Sequence, residues 1–77
     1  MDENPSPERL KARVASLRKR IEQAEAEIIA QNEVIAALEL GGRDSREARA
    51  IRAQLWVSQE VDRAELARLV DEIGRSR

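Results

Sequence analysis

Residues 35 to 48 read Ile35-Ala36-Ala37-Leu38-Glu39-Leu40-Gly41-Gly42-Arg43-Asp44-Ser45-Arg46-Glu47-Ala48. Strong helix formers give way to two glycines and then to the chemistry of a fresh helix start. A backbone free to take positive φ ends the first helix at Gly41-Gly42. Asp44, with Glu47 three residues later, reads as a capping box for the second. The chain therefore turns here.

Upstream of the turn, apolar residues fall at Leu10, Val14, Leu17, Ile21, Ala24, Ile28, Ile35 and Leu38, and only Gln31 interrupts steps that alternate four and three. This is a heptad seam with β-branched residues at one core position and mainly Leu at the other, as coiled coils favour. Ser6-Pro7-Glu8 supplies a cap, a proline suited to the first helical position and an acid for the positive end of the dipole. Downstream, Ala48, Ile51, Leu55, Val61, Leu66, Leu69, Val70 and Ile73 give a less regular stripe that runs to Gly74. Residues 1–6 read as a disordered lead-in, 7–40 as helix, 41–44 as turn, 45–73 as helix and 75–77 as a tail. The fold class is all-α, an antiparallel two-helix coiled-coil hairpin.

Reflecting the chain about the diglycine assembles a hairpin core of Val14, Leu17, Ile21, Ile28, Ile35 and Leu38 with Ile51, Leu55, Leu66, Leu69 and Ile73. Gln31 then falls opposite Ser58 or Gln59, a polar layer able to fix register at some cost in stability. Ile29, Val34, Ala37, Trp56, Val57 and Val61 lie off this seam and form a second apolar face. On a small soluble protein such a face calls for a partner, so these six are the candidate oligomer interface, with two hairpins closing into a four-helix bundle. Trp56 reads as a large anchor at a helix contact.

Charge is distributed in blocks. Arg9, Lys11, Arg13, Arg18, Lys19 and Arg20 stand without an acid among them, whereas residues 21 to 40 hold glutamates and no base. The second helix has the opposite polarity, arginines first and acids later. Signs match when the helices run antiparallel, and two first helices side by side in parallel would repel. The six basic residues are also a candidate phosphate-contacting patch.

Composition closes off much chemistry. Of 77 residues 42% are apolar and 38% charged, with no Cys, no His and one aromatic, Trp56. Disulfides, thiolate catalysis, zinc sites and the usual general base are excluded, and no platform of aromatics exists for stacking bases. A net charge of −1 gives no global pull toward nucleic acid or anionic lipid. No apolar run approaches the ~18 residues of a membrane span, and the first residues, acidic and polar, do not resemble a secretory signal. A cytoplasmic chain is expected, without catalytic, cofactor-binding or metal-ligating residues.

The stretch from Ile28 to Gln59 resembles, without a gap, a group of small helical proteins of α-proteobacterial genomes. It carries Gln31-Asn32-Glu33-Val34-Ile35-Ala36-Ala37-Leu38-Glu39, then Gly42-Arg43-Asp44-Ser45, Ala48-Arg49, Gln54-Leu55 and Gln59. Arg43 stands where that group often has His, which removes a titrating or metal-binding group from the turn, and Leu55 stands where it often has Phe. The resemblance implies a two-helix coiled-coil hairpin and no activity. Leu17 to Ile29 also looks like the opening of the first helix of helical chorismate mutases. A third helix and counterparts for the cations that bind substrate carboxylates are lacking past Ile29.

The expected function is a non-enzymatic interaction or scaffolding module that pairs with itself as a homodimer. One alternative is a Rop-like helical-hairpin dimer that contacts RNA or DNA through a basic face. Another is a small helical adaptor that completes its core on a larger helical protein. No cofactor, small-molecule substrate or membrane is implied.

Overall fold

At the head of α1 (Pro7–Leu40) the Ser6 hydroxyl accepts from the Arg9 amide at 3.2 Å, Pro7 occupies the first helical position and Glu8 lies in the first turn. The computed structural model describes residues 6–75, and among these the chain is all helical, with α1 followed by α2 (Arg46–Arg75). The end of α1 is closed by backbone bonds. The Gly42 amide donates to Glu39 O at 3.1 Å and the Arg43 amide to Leu38 O at 2.8 Å, with Gly42 at φ 70°. That pairing, with a left-handed residue just beyond the cap, is a Schellman turn.

Ser45 precedes α2, which starts at Arg46 and not at Ser45 as the sequence suggested. Asp44 does receive an amide, but from Arg46 at 3.0 Å. Glu47 makes no return bond to Asp44 among the described residues, so the expected capping box is replaced by a tighter turn. At the other end α2 runs through Gly74 to Arg75, which pairs with Asp71 at 2.8 Å. One glycine costs a helix only about 1 kcal/mol, and an i,i+4 ion pair across the last turn supports the extra residues.

The helices pack along their length. On α1 the buried residues are Leu10, Val14, Leu17, Ile21, Ile28 and Ile35, with Ala24, Gln31 and Leu38 half-buried. These nine positions keep the four-three spacing throughout. From Ser45 at its threshold and on along α2, the seam is Ser45, Ala48, Arg52, Leu55, Gln59, Asp62, Leu66, Leu69 and Ile73, all buried or half-buried. It too steps strictly by three and four, and so it differs from the apolar stripe read from the sequence. Ile51 was expected in the core but is 39% exposed, and Val61 and Val70 are also exposed. A rigid helix sends side chains where spacing dictates. Once Ala48, Leu55, Leu66, Leu69 and Ile73 set the face, Arg52, Gln59 and Asp62 are carried onto it while Ile51, Val61 and Val70 are carried off.

Cross-helix contacts descend α1 as they ascend α2. Glu39 pairs with Arg49, Asn32 accepts from Arg52 at 2.7 Å, Glu25 accepts from Gln59 at 3.2 Å, Arg20 meets Asp62 at 3.2 Å and Arg13 meets Glu65 at 2.9 Å. The result is a rod of 60 × 17 × 16 Å with a radius of gyration of 17.5 Å, well above the ~11.5 Å of an average globular chain of this length.

Candidate functional site

The side-chain geometry follows from two seven-residue rows on each helix. Positions 11, 18, 25, 32 and 39 of α1 border the seam on one flank, where Glu25, Asn32 and Glu39 reach Gln59, Arg52 and Arg49. Trp56 is seven residues on from Arg49 and shares its flank, and Ile29 lies between Glu25 and Asn32 just outside it. This is the Trp56 flank. Positions 13, 20, 27 and 34 border the other side, where Arg13 and Arg20 meet Glu65 and Asp62. Ile51, fourteen residues before Glu65, belongs to that side, the Ile51 flank.

The six residues expected to share one oligomer interface are therefore divided. Ile29, Trp56 and, further outward, Val57 belong to the Trp56 flank, whereas Val34, Ala37 and Val61 border the Ile51 flank. All six are exposed, Trp56 by 50% and Ile29 by 55%. The apolar residues left over by the seam stand in three-four relation to its two opposite edges, so they cannot form a single face.

The basic segment is divided in the same way. Arg13 holds Glu65 with two bonds of 2.9 and 3.0 Å, and Arg20 holds Asp62, whose side chain is only 8% exposed. On the opposite flank Lys11, Arg18 and Lys19 make no ion pair among the described residues. They rim a groove of about 620 Å³ whose floor is Val14, Ala15 and Ile73, with Glu22 at its edge. Arg9 contributes its backbone amide to the cap of α1. Sequence order alone merged these residues into one patch. A seven-residue spacing test would have separated 13 and 20 from 11 and 18.

A second groove, of about 380 Å³, opens on the Ile51 flank near the turn, lined by Gln31, Val34, Leu38, Ala48 and Ile51 and by the acids Asp44 and Glu47. Gln31 thus faces this groove and not Ser58 or Gln59. The expected polar layer forms elsewhere: Gln59, 1% exposed, donates to Ile21 O and to the Glu25 carboxylate, both at 3.2 Å. Levels along the pair place residue 59 beside 21 to 25, a turn or more from 31.

Electrostatics follow the cross-helix pairs. Arg49 holds the Glu39 carboxyl below the ordinary range, with the Ser45 hydroxyl assisting. Arg13 does the same for Glu65, and its own guanidinium is raised in return. Asp44 is lowered by Arg46, through its side chain first and its amide second. Each shift comes first from a hydrogen-bonded partner of opposite charge, with burial opposing it, and in none of these pairs does a group poised for proton transfer near neutrality result.

Among the described residues no cluster of carboxylates is arranged to hold a metal ion, and no helix is long and apolar enough to cross a membrane. What the surface does offer is shape and charge: two apolar grooves of opposite sign, and one tryptophan standing half in solvent. No protein-family model matches the chain, and no curated protein or solved structure matches it.

Proposed function

We propose that the chain is an antiparallel helical hairpin whose biochemical role is self-association, a non-enzymatic module that completes its apolar packing on a second copy and so joins or scaffolds what it belongs to. The observation that carries this reading is the exchange across α2. The pairing with α1 buries Gln59 and Asp62, while Trp56, Val57, Val61 and Val70 on the same helix stay exposed. Helices that hide amides and carboxylates and show water their bulky apolar groups are built for further contact.

Area supports it. The chain exposes 6109 Å², against about 4,700 Å² for an average folded monomer of its mass. That excess is more than the ~800 Å² that each partner contributes to an interface of standard size. Buried polar residues also suit the assignment, because a seam with Gln59 and Asp62 fixes which helix pairs with which at the expense of stability.

Thermal unfolding followed by circular dichroism at several protein concentrations tests the proposal. Association coupled to folding makes the midpoint rise by mass action between micromolar and several hundred micromolar. A midpoint independent of concentration over that range would overturn it.

A further inference from the structure

We infer that two hairpins associate through the Trp56 flank, face to face and with their turns at opposite ends, the groove between Lys11 and Glu22 of each receiving Ile29 of the other. The inference rests on the self-association proposed above and adds the surface and the direction.

The groove defines what fills it. Its floor is aliphatic and its rim carries Lys11, Arg18 and Lys19, cations without an ion pair among the described residues, whereas Arg13 and Arg20 are engaged across the hairpin. Lys11 and Arg18 are seven residues apart, about 10.5 Å along the axis. That is too far to converge on one small anion, and it suits an acidic helix laid along both cations. The occupant is then an acidic helix with an exposed aliphatic side chain between its acids.

Residues 22 to 33 of α1 are such a helix: Glu22, Ala26, Ile29 and Glu33 are exposed, with Ile29 at 55%. Laid antiparallel on the α1 of a second copy, with Ile29 over Ala15, Glu33 comes level with Lys11 and Glu22 lies within a turn of Lys19. The two-fold axis passes near residue 22, so every contact is made twice and the assembly closes at two chains. The basic and acidic halves of α1 are complementary in this direction and in conflict in the parallel one.

The same axis settles the second helices. Arg20 faces Asp62 and Glu25 faces Gln59, so residue 22 of α1 corresponds to about residue 60 of α2. Trp56 then comes to rest between Ala64 and Ala67 of the second copy, a large ring against small exposed residues, and Glu60 lies within a turn of Arg63. With the turns at the same end, Trp56 would instead meet Ile29, bulk against bulk. Arg18 and Lys19 would lie level with Arg63, and Ala64 and Ala67 are too small to fill a groove of about 620 Å³.

The chain has no cysteine, so single-cysteine variants report cleanly. Leu40 is 90% exposed beside the turn and Leu40→Cys accepts a nitroxide without disturbing the seam. Pulsed electron paramagnetic resonance on the labelled full chain is expected to give a separation of about 54 Å, twice the rise from residue 22 to residue 40. Glu22→Cys, near the axis, is expected to form an intermolecular disulfide under mild oxidation. A label separation within about 20 Å overturns the inference and leaves self-association intact, because it places the turns together. A long separation without the Glu22→Cys cross-link puts the contact on the Ile51 flank and overturns it as well. A monomer by sedimentation removes both proposals.

Discussion

Arg20 and Asp62 share one ion pair and unequal burial, the guanidinium half in water and the carboxylate almost enclosed. Removing either partner therefore has different consequences. Arg20→Ala leaves a buried carboxylate without its cation, at a cost of about 2 kcal/mol. Asp62→Ala only returns an arginine to solvent and costs under ~1 kcal/mol. Denaturant unfolding of the two variants at equal concentration checks the order, and equal losses would mean that Asp62 is not the desolvated member. Gln59 shows the same logic in neutral form: fully enclosed, it spends its amide protons on Ile21 O and Glu25, and every buried side-chain polar atom among the described residues has a partner. These polar groups in the seam are satisfied, so they specify pairing and do not merely weaken it.

The elements were legible to different degrees. α1 declares itself because its apolar positions and its helical spacing agree, and the turn because Gly42 needs a backbone at φ 70° that other residues resist. The two glycines are not equivalent. A Cβ at Gly42 has open space but the wrong dihedral, whereas Gly41 sits at φ −84° with its nearest neighbour, Ala37 O, at 3.5 Å. Gly42→Ala is expected to lower stability by about 1 kcal/mol and Gly41→Ala to be close to neutral; comparable losses in thermal unfolding would contradict the Schellman geometry. α2 was harder to read because hydrophobicity and spacing disagree along it. Ile51 looks like core and lies one position off the seam, while Arg52, Gln59 and Asp62 look like surface and lie on it. Spacing prevailed, since a helix cannot turn one residue inward without turning its neighbours out. The grooves were not legible at all, because each depends on residues from both helices at a level that only the cross-contacts fix.

As a whole molecule the chain is a thin rod, two helices across, and no residue of such a rod is far from solvent. Its six buried aliphatic positions on α1 are matched on α2 by a seam nearly half made of polar groups, so one pairing cannot absorb the apolar residues the sequence carries. A second copy offers the missing layers without a longer chain, and the block charges then direct the approach more than they strengthen it. Sedimentation equilibrium of the full chain and of Trp56→Asp tests this most directly. Self-association through the Trp56 flank predicts twice 8.7 kDa for the native chain at tens of micromolar, and a lower mass with helicity at least partly retained for the variant. A native chain that stays at 8.7 kDa at every concentration, or a variant that dimerises equally well, would contradict it.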